Sequence, residues 1–133
     1  MGDRQGVWGE TVANDAAAIR MLAPGFAGQA SERFGVVFLD ARRRMVARTY
    51  FGGHSCSEVE VPMRQLFRQA LEVDAWAIVI AHNHPAGSTE PSAADIAVTR
   101  RLATLARSLG ISLLDHLIFA AEGTTSFRAL GLM

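Results

Sequence analysis

The sequence predicts an α/β fold, a mixed β-sheet of the α+β type with helices packed against it. Strand-like and helix-like segments alternate: a strand pair is followed by a helix, a strand, a second helix and another strand. Such an order places helices against the faces of a sheet. With 133 residues, 50% of them hydrophobic, the chain can bury a core without disulfides or a structural metal.

An N-terminal segment, residues 1–30, is expected to contain one short helix. Residues 1–13 are polar and contain glycine, so we expect them to be frayed. Asn14-Asp15 offers capping side chains for a helix that continues to Leu22, and Pro24-Gly25 ends it.

Residues 31–133 are expected to form the domain proper, which begins with a β-hairpin. Glu32–Leu39 alternates and then becomes apolar, as a strand does, and Met45–Phe51 returns as its partner. The intervening Arg42-Arg43-Arg44 is expected to form a solvated turn, with contact to a phosphate or a partner as the alternative.

Helices and strands alternate after the hairpin. The apolar run that precedes His82 is typical of a buried strand. The expected elements are, in order, a helix at about residues 62–73, a strand at 75–81, a helix from Ser92 to about Leu109 that ends at Gly110, and a strand at 111–120 with a short hairpin or turn around Glu122-Gly123.

Composition and charge exclude several classes of function. The formal net charge is zero, which argues against a strongly basic nucleic-acid surface. All 13 basic residues are arginine, so Schiff-base chemistry and Walker-type phosphate binding, which need lysine, are excluded. The single cysteine, Cys56, excludes a disulfide framework within the chain. We expect Cys56 to be an inert thiol in a loop beside His54, with an extra or inhibitory ligand to a metal ion as the alternative. Without a visible signal peptide or membrane-spanning run, we expect a cytoplasmic protein.

The segment His82-Asn83-His84, followed by Ser92 and Asp95, contains the residues best suited to chemistry. Side chains two apart in an extended chain point the same way, so the two histidines are expected to converge. A loop turns the chain back, and Asp95, one turn into a helix that begins at Ser92, can supply a third ligand. Two imidazoles and one carboxylate are a ligand set of catalytic zinc sites, whose fourth position is left for water.

A purely structural interpretation of the same residues stays open. Ser92-Ala93-Ala94-Asp95 matches a capping box, in which Ser92 is the N-cap and Asp95 bonds back to its amide. A histidine at a strand end is also often only solvated or hydrogen-bonded. The joint occurrence of two histidines at i and i+2, a turn and an acidic residue in the first helical turn favours the metal site.

The motif and its flanking segments resemble a known family. His82-x-His84, seven residues, Ser92, two residues and Asp95 match the JAMM (MPN+) metalloprotease motif without a gap. The resemblance covers about residue 30 to the C-terminus. The segments similar to the RadC branch of that family are His82–Leu102, Glu32–Asp40, Leu114–Ile118 and Thr125–Arg128 with Gly131.

The resemblance implies an architecture, a metal and two further roles. The architecture is that of JAB/MPN domains, which is cytidine-deaminase-like, and Zn²⁺ would be held by His82, His84 and Asp95. In the family, the residue matching Glu32 is the general base and the residue matching Ser92 stabilises an oxyanion. From the residues alone, a carboxylate that begins an apolar strand also favours Glu32 as the base, with an exposed strand end as the alternative.

Two departures from the RadC pattern limit the properties that the resemblance implies for this chain. RadC proteins usually have an N-terminal helix-hairpin-helix region, whereas only a short segment precedes Glu32 here, so direct nucleic-acid binding is not favoured. Where RadC proteins usually have a segment similar to Val-His-Pro-Arg-Glu, this chain has Glu60–Gln65. The His and Glu of the family segment are absent here, so the resemblance implies no role for them in this chain.

Three polar residues outside the ligand set, Asn83, Asp115 and His116, lie on or next to the predicted strands near the motif. Asn83 points to the opposite face of the strand from the histidines and is expected to be structural. Asp115-His116, a dipeptide also found in RadC relatives, can orient a ligand imidazole from the neighbouring strand, or it can be purely structural.

The resemblance implies a zinc-dependent hydrolase, a metallopeptidase or isopeptidase-like enzyme that cleaves amide bonds of a peptide or protein with a metal-activated water. The alternative is a DNA repair or recombination accessory domain, or a protein-interaction domain, with little or no catalysis. A zinc nucleobase deaminase needs His-x-Glu and Pro-Cys-x-x-Cys, which the single cysteine excludes.

Overall fold

Five strands form a mixed sheet in the described part of the chain. The computed structural model describes residues 15–52, 61–85 and 87–133; the expectations for residues 1–13, His54 and Cys56 lie outside these ranges. None of the helices described is long and apolar enough to span a membrane. The elements are α1 (Asp15–Leu22), a 3-10 turn (Ala23–Gly25), β1 (Arg33–Leu39), β2 (Met45–Gly52), α2 (Met63–Glu72), β3 (Ala77–His84), α3 (Ala93–Ser108), β4 (Ser112–Ala120) and β5 (Gly123–Ser126).

Strand β3 lies at the centre of the sheet, whose order is β2-β1-β3-β4-β5. It is antiparallel to β1 and parallel to β4, while β2 and β5 are antiparallel edge strands. A parallel pair needs a crossover connection, which α3 supplies here. With strands on both sides and helices on both faces, β3 is buried from Ala77 to Asn83, as its apolar sequence predicts.

Alternate residues of β1 and β3 enter two cores on opposite faces of the sheet. The first core packs against α2 and α3 and includes Phe34, Val36, Phe38, Ile78, Ile80, Leu66 and Leu102. The second core packs against α1 and includes Val37, Leu39, Val79, Ala81, Met21 and Leu22. The two-residue period of β3 therefore places His82 on the face covered by α3 and Asn83 on the face covered by α1.

The β1–β2 hairpin turns at the three arginines predicted for it. The carboxylate of Asp40 accepts hydrogen bonds from the amides of Arg42 (2.8 Å) and Arg44 (2.9 Å), and Arg43 adopts a φ of 62°. The bond from the Arg44 amide is the main reason why the pKa of Asp40 lies below its ordinary value. The arginines are exposed, as a solvated turn requires.

The predicted order of elements is confirmed, with three differences in detail. Strand β1 begins at Arg33, so Glu32 precedes the strand instead of beginning it. Strand β3 continues to His84, so both histidines belong to the strand. After the turn at Glu122-Gly123 the chain forms a short fifth strand, β5, which pairs with β4. Helix α3 ends before Gly110, whose φ of +74° suits a residue that terminates a helix.

Candidate metal centre

The imidazoles of His82 and His84 lie side by side at the end of β3. Pairing sets Phe34 of β1 and Ile118 of β4 opposite His82, so the strand is held on both sides at this point. The Nε2 atoms of the two histidines are 2.9 Å apart. His82 is buried and His84 is partly buried, so the cluster opens toward solvent on the side of His84.

Asp95, in the first turn of α3, completes the cluster. Its Oδ1 is 3.3 Å from Nε2 of His82, and its Oδ2 is 3.5 Å from Nε2 of His84. One ligand atom from each of the three residues lies within 4.8 Å of the others. Two imidazole nitrogens and one carboxylate oxygen, converging on a partly open position, fit the nitrogen and oxygen ligands that zinc takes.

Ser92 holds Asp95 in place through a capping box. The Ser92 hydroxyl oxygen accepts the amide of Asp95 at 3.0 Å, and Oδ2 of Asp95 accepts the amide of Ser92 at 2.8 Å. The structural alternative considered for these residues is therefore present, and it aims the same carboxylate at the histidines. Both roles are compatible because a carboxylate has about four lone-pair sites.

The Asp95 carboxyl is ionised at neutral pH. Partial burial raises the pKa of Asp95, but the neighbouring imidazole of His82 and the hydrogen bonds with Ser92 outweigh burial and hold this pKa well below its ordinary value. An ionised carboxylate is the form that binds a metal ion.

A backbone carbonyl determines the tautomer of His84. Nδ1 of His84 is 2.9 Å from the carbonyl oxygen of Ser88. Because a carbonyl only accepts, Nδ1 carries the proton, and Nε2 of the neutral ring keeps a lone pair directed at the cluster. Metal-ligating histidines commonly donate their other N–H to a carbonyl in this way.

His116 on β4 contacts His82 from behind. Its Nε2 is 2.7 Å from Nδ1 of His82, and its Nδ1 is 2.6 Å from the hydroxyl of Thr99. Burial lowers the pKa of His116 well below its ordinary value, and a proton on His82 or His84 would lower this pKa further, against the attraction of Asp95. The ring is therefore neutral near pH 7.

The two residues of the Asp115-His116 dipeptide have separate contacts. Asp115 accepts hydrogen bonds from the hydroxyl of Ser126 (2.5 Å) and the amide of Arg128 (3.0 Å). These bonds hold the turn that carries Phe127, whose ring stacks on that of His116 with centroids 4.3 Å apart. Asp115 thus organises the C-terminal turn, while His116 faces the candidate ligands.

Thr99 was not singled out from the sequence. It is buried in α3, and its hydroxyl donates to the backbone carbonyl of Asp95 at 2.6 Å. The signal for it was its position four residues after Asp95, since residues four apart share a face of a helix.

Glu32 lies on the segment that leads into β1. Oδ1 of Asn83 accepts the amide of Arg33 at 2.8 Å, and its Nδ2 donates to the carbonyl of Ser31 at 3.1 Å. Asn83 therefore holds the backbone on both sides of Glu32, which is partly buried. Glu32 precedes Phe34, the residue opposite His82, by two positions. The two-residue period of an extended chain predicts that the Glu32 side chain faces the same side of the sheet as the histidines.

Comparison with known proteins points to the family that the motif resembles. A family model described as the RadC-like JAB domain matches residues 12–132, a range that includes α1. A UPF0758 protein of Symbiobacterium thermophilum is 37% identical over 120 residues, which are 90% of this chain and 51% of the relative.

Two further relatives are similar to the chain over comparable lengths. A UPF0758 protein of a Cyanothece species is 38% identical over 122 residues, 91% of this chain and 49% of the relative. A UPF0758 protein of Rhodobacter capsulatus is 40% identical over 103 residues, 77% of this chain and 48% of the relative. The chain spans about half the length of these curated relatives. Since the family model matches almost all of it, the chain belongs to the RadC family of JAB-domain proteins.

Proposed function

We propose that this domain is a zinc-dependent amide hydrolase of the JAMM type, which acts as a metallopeptidase or isopeptidase on a peptide or protein substrate. The observation that carries the proposal is the convergence of ligand atoms from His82, His84 and Asp95 within 4.8 Å of one another. A zinc ion held by these residues would supply a Lewis acid and lower the pKa of a bound water to about 7.

Glu32 is the proposed general base. Amide hydrolysis needs a group that takes a proton from the attacking water and delivers it to the leaving nitrogen. A carboxylate that is not itself a ligand can do both, and Glu32 directly precedes β1, two positions before Phe34, the residue that pairs with His82. Two hydrogen bonds support this role because they restrict the backbone around Glu32: the Asn83 side chain accepts the amide of Arg33 and donates to the carbonyl of Ser31.

Ser92 is the proposed donor to the developing oxyanion. During attack on an amide, negative charge builds on the carbonyl oxygen, and a donor aimed at that oxygen contributes most in the transition state. The Ser92 oxygen accepts the Asp95 amide, which leaves the hydroxyl proton for the substrate. Its exposure at the start of α3 makes it accessible to a substrate.

Metal content and turnover together test the proposal. The purified domain, reconstituted with zinc, is screened against peptide and isopeptide libraries, and zinc is measured in the wild type and in His84→Ala. We expect about one zinc per wild-type chain, loss of zinc in His84→Ala, and turnover of a library member by the wild type.

Glu32→Gln separates chemistry from metal binding, and Glu72→Gln, which changes an exposed carboxylate at the end of α2, is its matched control. We expect Glu32→Gln to keep its zinc and lose turnover, while Glu72→Gln keeps both. Full zinc retention by His84→Ala would reject the metal site, and undiminished turnover in Glu32→Gln would reject this base. Duplex DNA binding without hydrolysis would favour the accessory-domain alternative.

A further inference from the structure

We propose that Thr99 and His116 are positioning residues that form a directional hydrogen-bond relay and hold His82 in the tautomer that binds metal through Nε2. The relay runs from Nδ1 of His82 to His116 (2.7 Å), from His116 to the Thr99 hydroxyl (2.6 Å), and from that hydroxyl to the carbonyl of Asp95 (2.6 Å). The inference rests on the proposed function, because it assigns these residues a role toward the proposed metal ligand.

The direction of the relay follows from the single proton of Thr99. A backbone carbonyl only accepts, so the contact between the Thr99 hydroxyl and the Asp95 carbonyl requires the Thr99 proton. The Thr99 oxygen must then accept a proton from Nδ1 of His116. If the Thr99 hydroxyl donated to His116 instead, no hydrogen would lie between the Thr99 hydroxyl oxygen and the Asp95 carbonyl oxygen, which are only 2.6 Å apart.

The same reasoning determines the proton positions on His116 and then on His82. His116 is 1% exposed, and such burial disfavours a charged ring. With its single proton on Nδ1, its Nε2 carries a lone pair. That lone pair accepts the Nδ1 proton of His82, so Nε2 of His82 is left without a proton. Nε2 of His84 has the same form because its Nδ1 donates to Ser88. Two lone pairs and an ionised carboxylate thus face one point, where a cation stabilises all three.

The relay also connects two of the proposed ligands. It begins on the ring of His82 in β3 and ends on the backbone of Asp95 in α3, whose own carboxylate lies 3.3 Å from His82. A shift of α3 along the sheet would therefore disturb both the position of Asp95 and the tautomer of His82. Stacking of Phe127 on His116 and the burial of Thr99 keep the middle of the relay rigid.

Replacement of Thr99 provides the test. Thr99→Val removes the hydroxyl at nearly constant volume, Thr99→Ser restores it, and Thr104→Val is the matched control. Thr104 makes the same type of bond to the carbonyl four residues before it on α3, but it is exposed. We expect Thr99→Val to lower zinc affinity about ten- to hundredfold, measured by competition with a chelator. Affinity should be restored in Thr99→Ser and unchanged in Thr104→Val.

Nitrogen-15 NMR of the imidazoles gives a second readout that needs no metal. In the metal-free wild type we expect His116 with its proton on Nδ1 only, and in Thr99→Val a mixture of tautomers. A wild-type His116 with its proton on Nε2, or zinc affinity in Thr99→Val within twofold of the wild type, would overturn the relay. Absence of hydrolysis alongside the expected tautomer and affinity changes would instead refute the proposed activity and support the relay.

Discussion

Asn83 and Arg33 are joined by a hydrogen bond of 2.8 Å, in which the side-chain oxygen of Asn83 accepts the backbone amide of Arg33. The other end of the Asn83 amide donates to the carbonyl of Ser31. A residue on the α1 face of β3 therefore holds the backbone on both sides of Glu32, the proposed base. The two sides of the strand through the metal motif thus have different contacts: its histidines face α3, and the asparagine between them holds the backbone that flanks Glu32.

Asn83→Ala tests this relationship. Asn83→Ala is expected to lower the free energy of unfolding by about 1–3 kcal/mol, because it removes two hydrogen bonds to the partly buried backbone of Ser31 and Arg33. If Glu32 is displaced by about 1 Å, turnover should fall up to about 100-fold. Zinc content should stay at the wild-type value, since the ligands are untouched. Urea unfolding, zinc analysis and turnover measure the three effects, and unchanged turnover would separate Asn83 from catalysis.

Ser92 is expected to have two separable functions. Ser92→Ala should lower the free energy of unfolding by about 1 kcal/mol through loss of the N-cap, whereas Ser92→Gly should lower it by only a few tenths. If the hydroxyl also stabilises the oxyanion, both variants should lose about 100- to 1,000-fold in kcat. Thermal or urea unfolding beside steady-state kinetics distinguishes the two roles. If kcat falls in Ser92→Ala but not in Ser92→Gly, in parallel with the free energy of unfolding, Ser92 is only a helix cap.

The parts of the site that depend on local geometry could be predicted from the sequence. His82 and His84 are two apart in a strand, and Asp95 follows a capping signal, so short-range periodicity brings them together. The Thr99–His116 relay depends on the pairing of β3 with β4, which no local pattern specifies. In that pairing the register shifts at Ile78/Val79, where Leu114 is the extra residue of β4.

The register shift decides which member of the Asp115-His116 dipeptide faces the site. With it, His116 is opposite Ile80 and lies on the face of His82. Without it, Asp115 would occupy that place, since a slip of one residue exchanges the two faces of a strand. The sequence therefore identified the dipeptide as a candidate neighbour of the ligands but could not distinguish its two members.

The buried neutral ring of His116 should make the stability of the metal-free protein depend on pH. Its pKa is lower in the folded than in the unfolded chain, chiefly because of burial, so the unfolded chain binds the extra proton. Stability is then fully present above about pH 6.5 and falls at lower pH, by at most about 1.4 kcal/mol per pH unit.

His116→Gln isolates this contribution because glutamine does not titrate. Urea unfolding of EDTA-treated wild type and variant is compared from pH 8 to pH 5. We expect their difference in unfolding free energy to be constant above about pH 6.5 and to change below it, with the wild type losing stability faster. Parallel curves over the whole range would contradict a neutral His116 in the folded protein.

Zinc should stabilise the folded domain because the ligand cluster exists only when β3 and α3 are in place. At a free zinc concentration 100 times Kd, the free energy of unfolding should rise by about 2.7 kcal/mol, and EDTA should reverse the change. His84→Ala should show little of this effect, because it removes one of the three ligands. Magnesium, which prefers oxygen ligands in octahedral geometry, should not substitute for zinc at the same concentration. Melting temperatures measured with zinc, magnesium and EDTA check these expectations, and an equal shift in His84→Ala and wild type would place the zinc elsewhere on the protein.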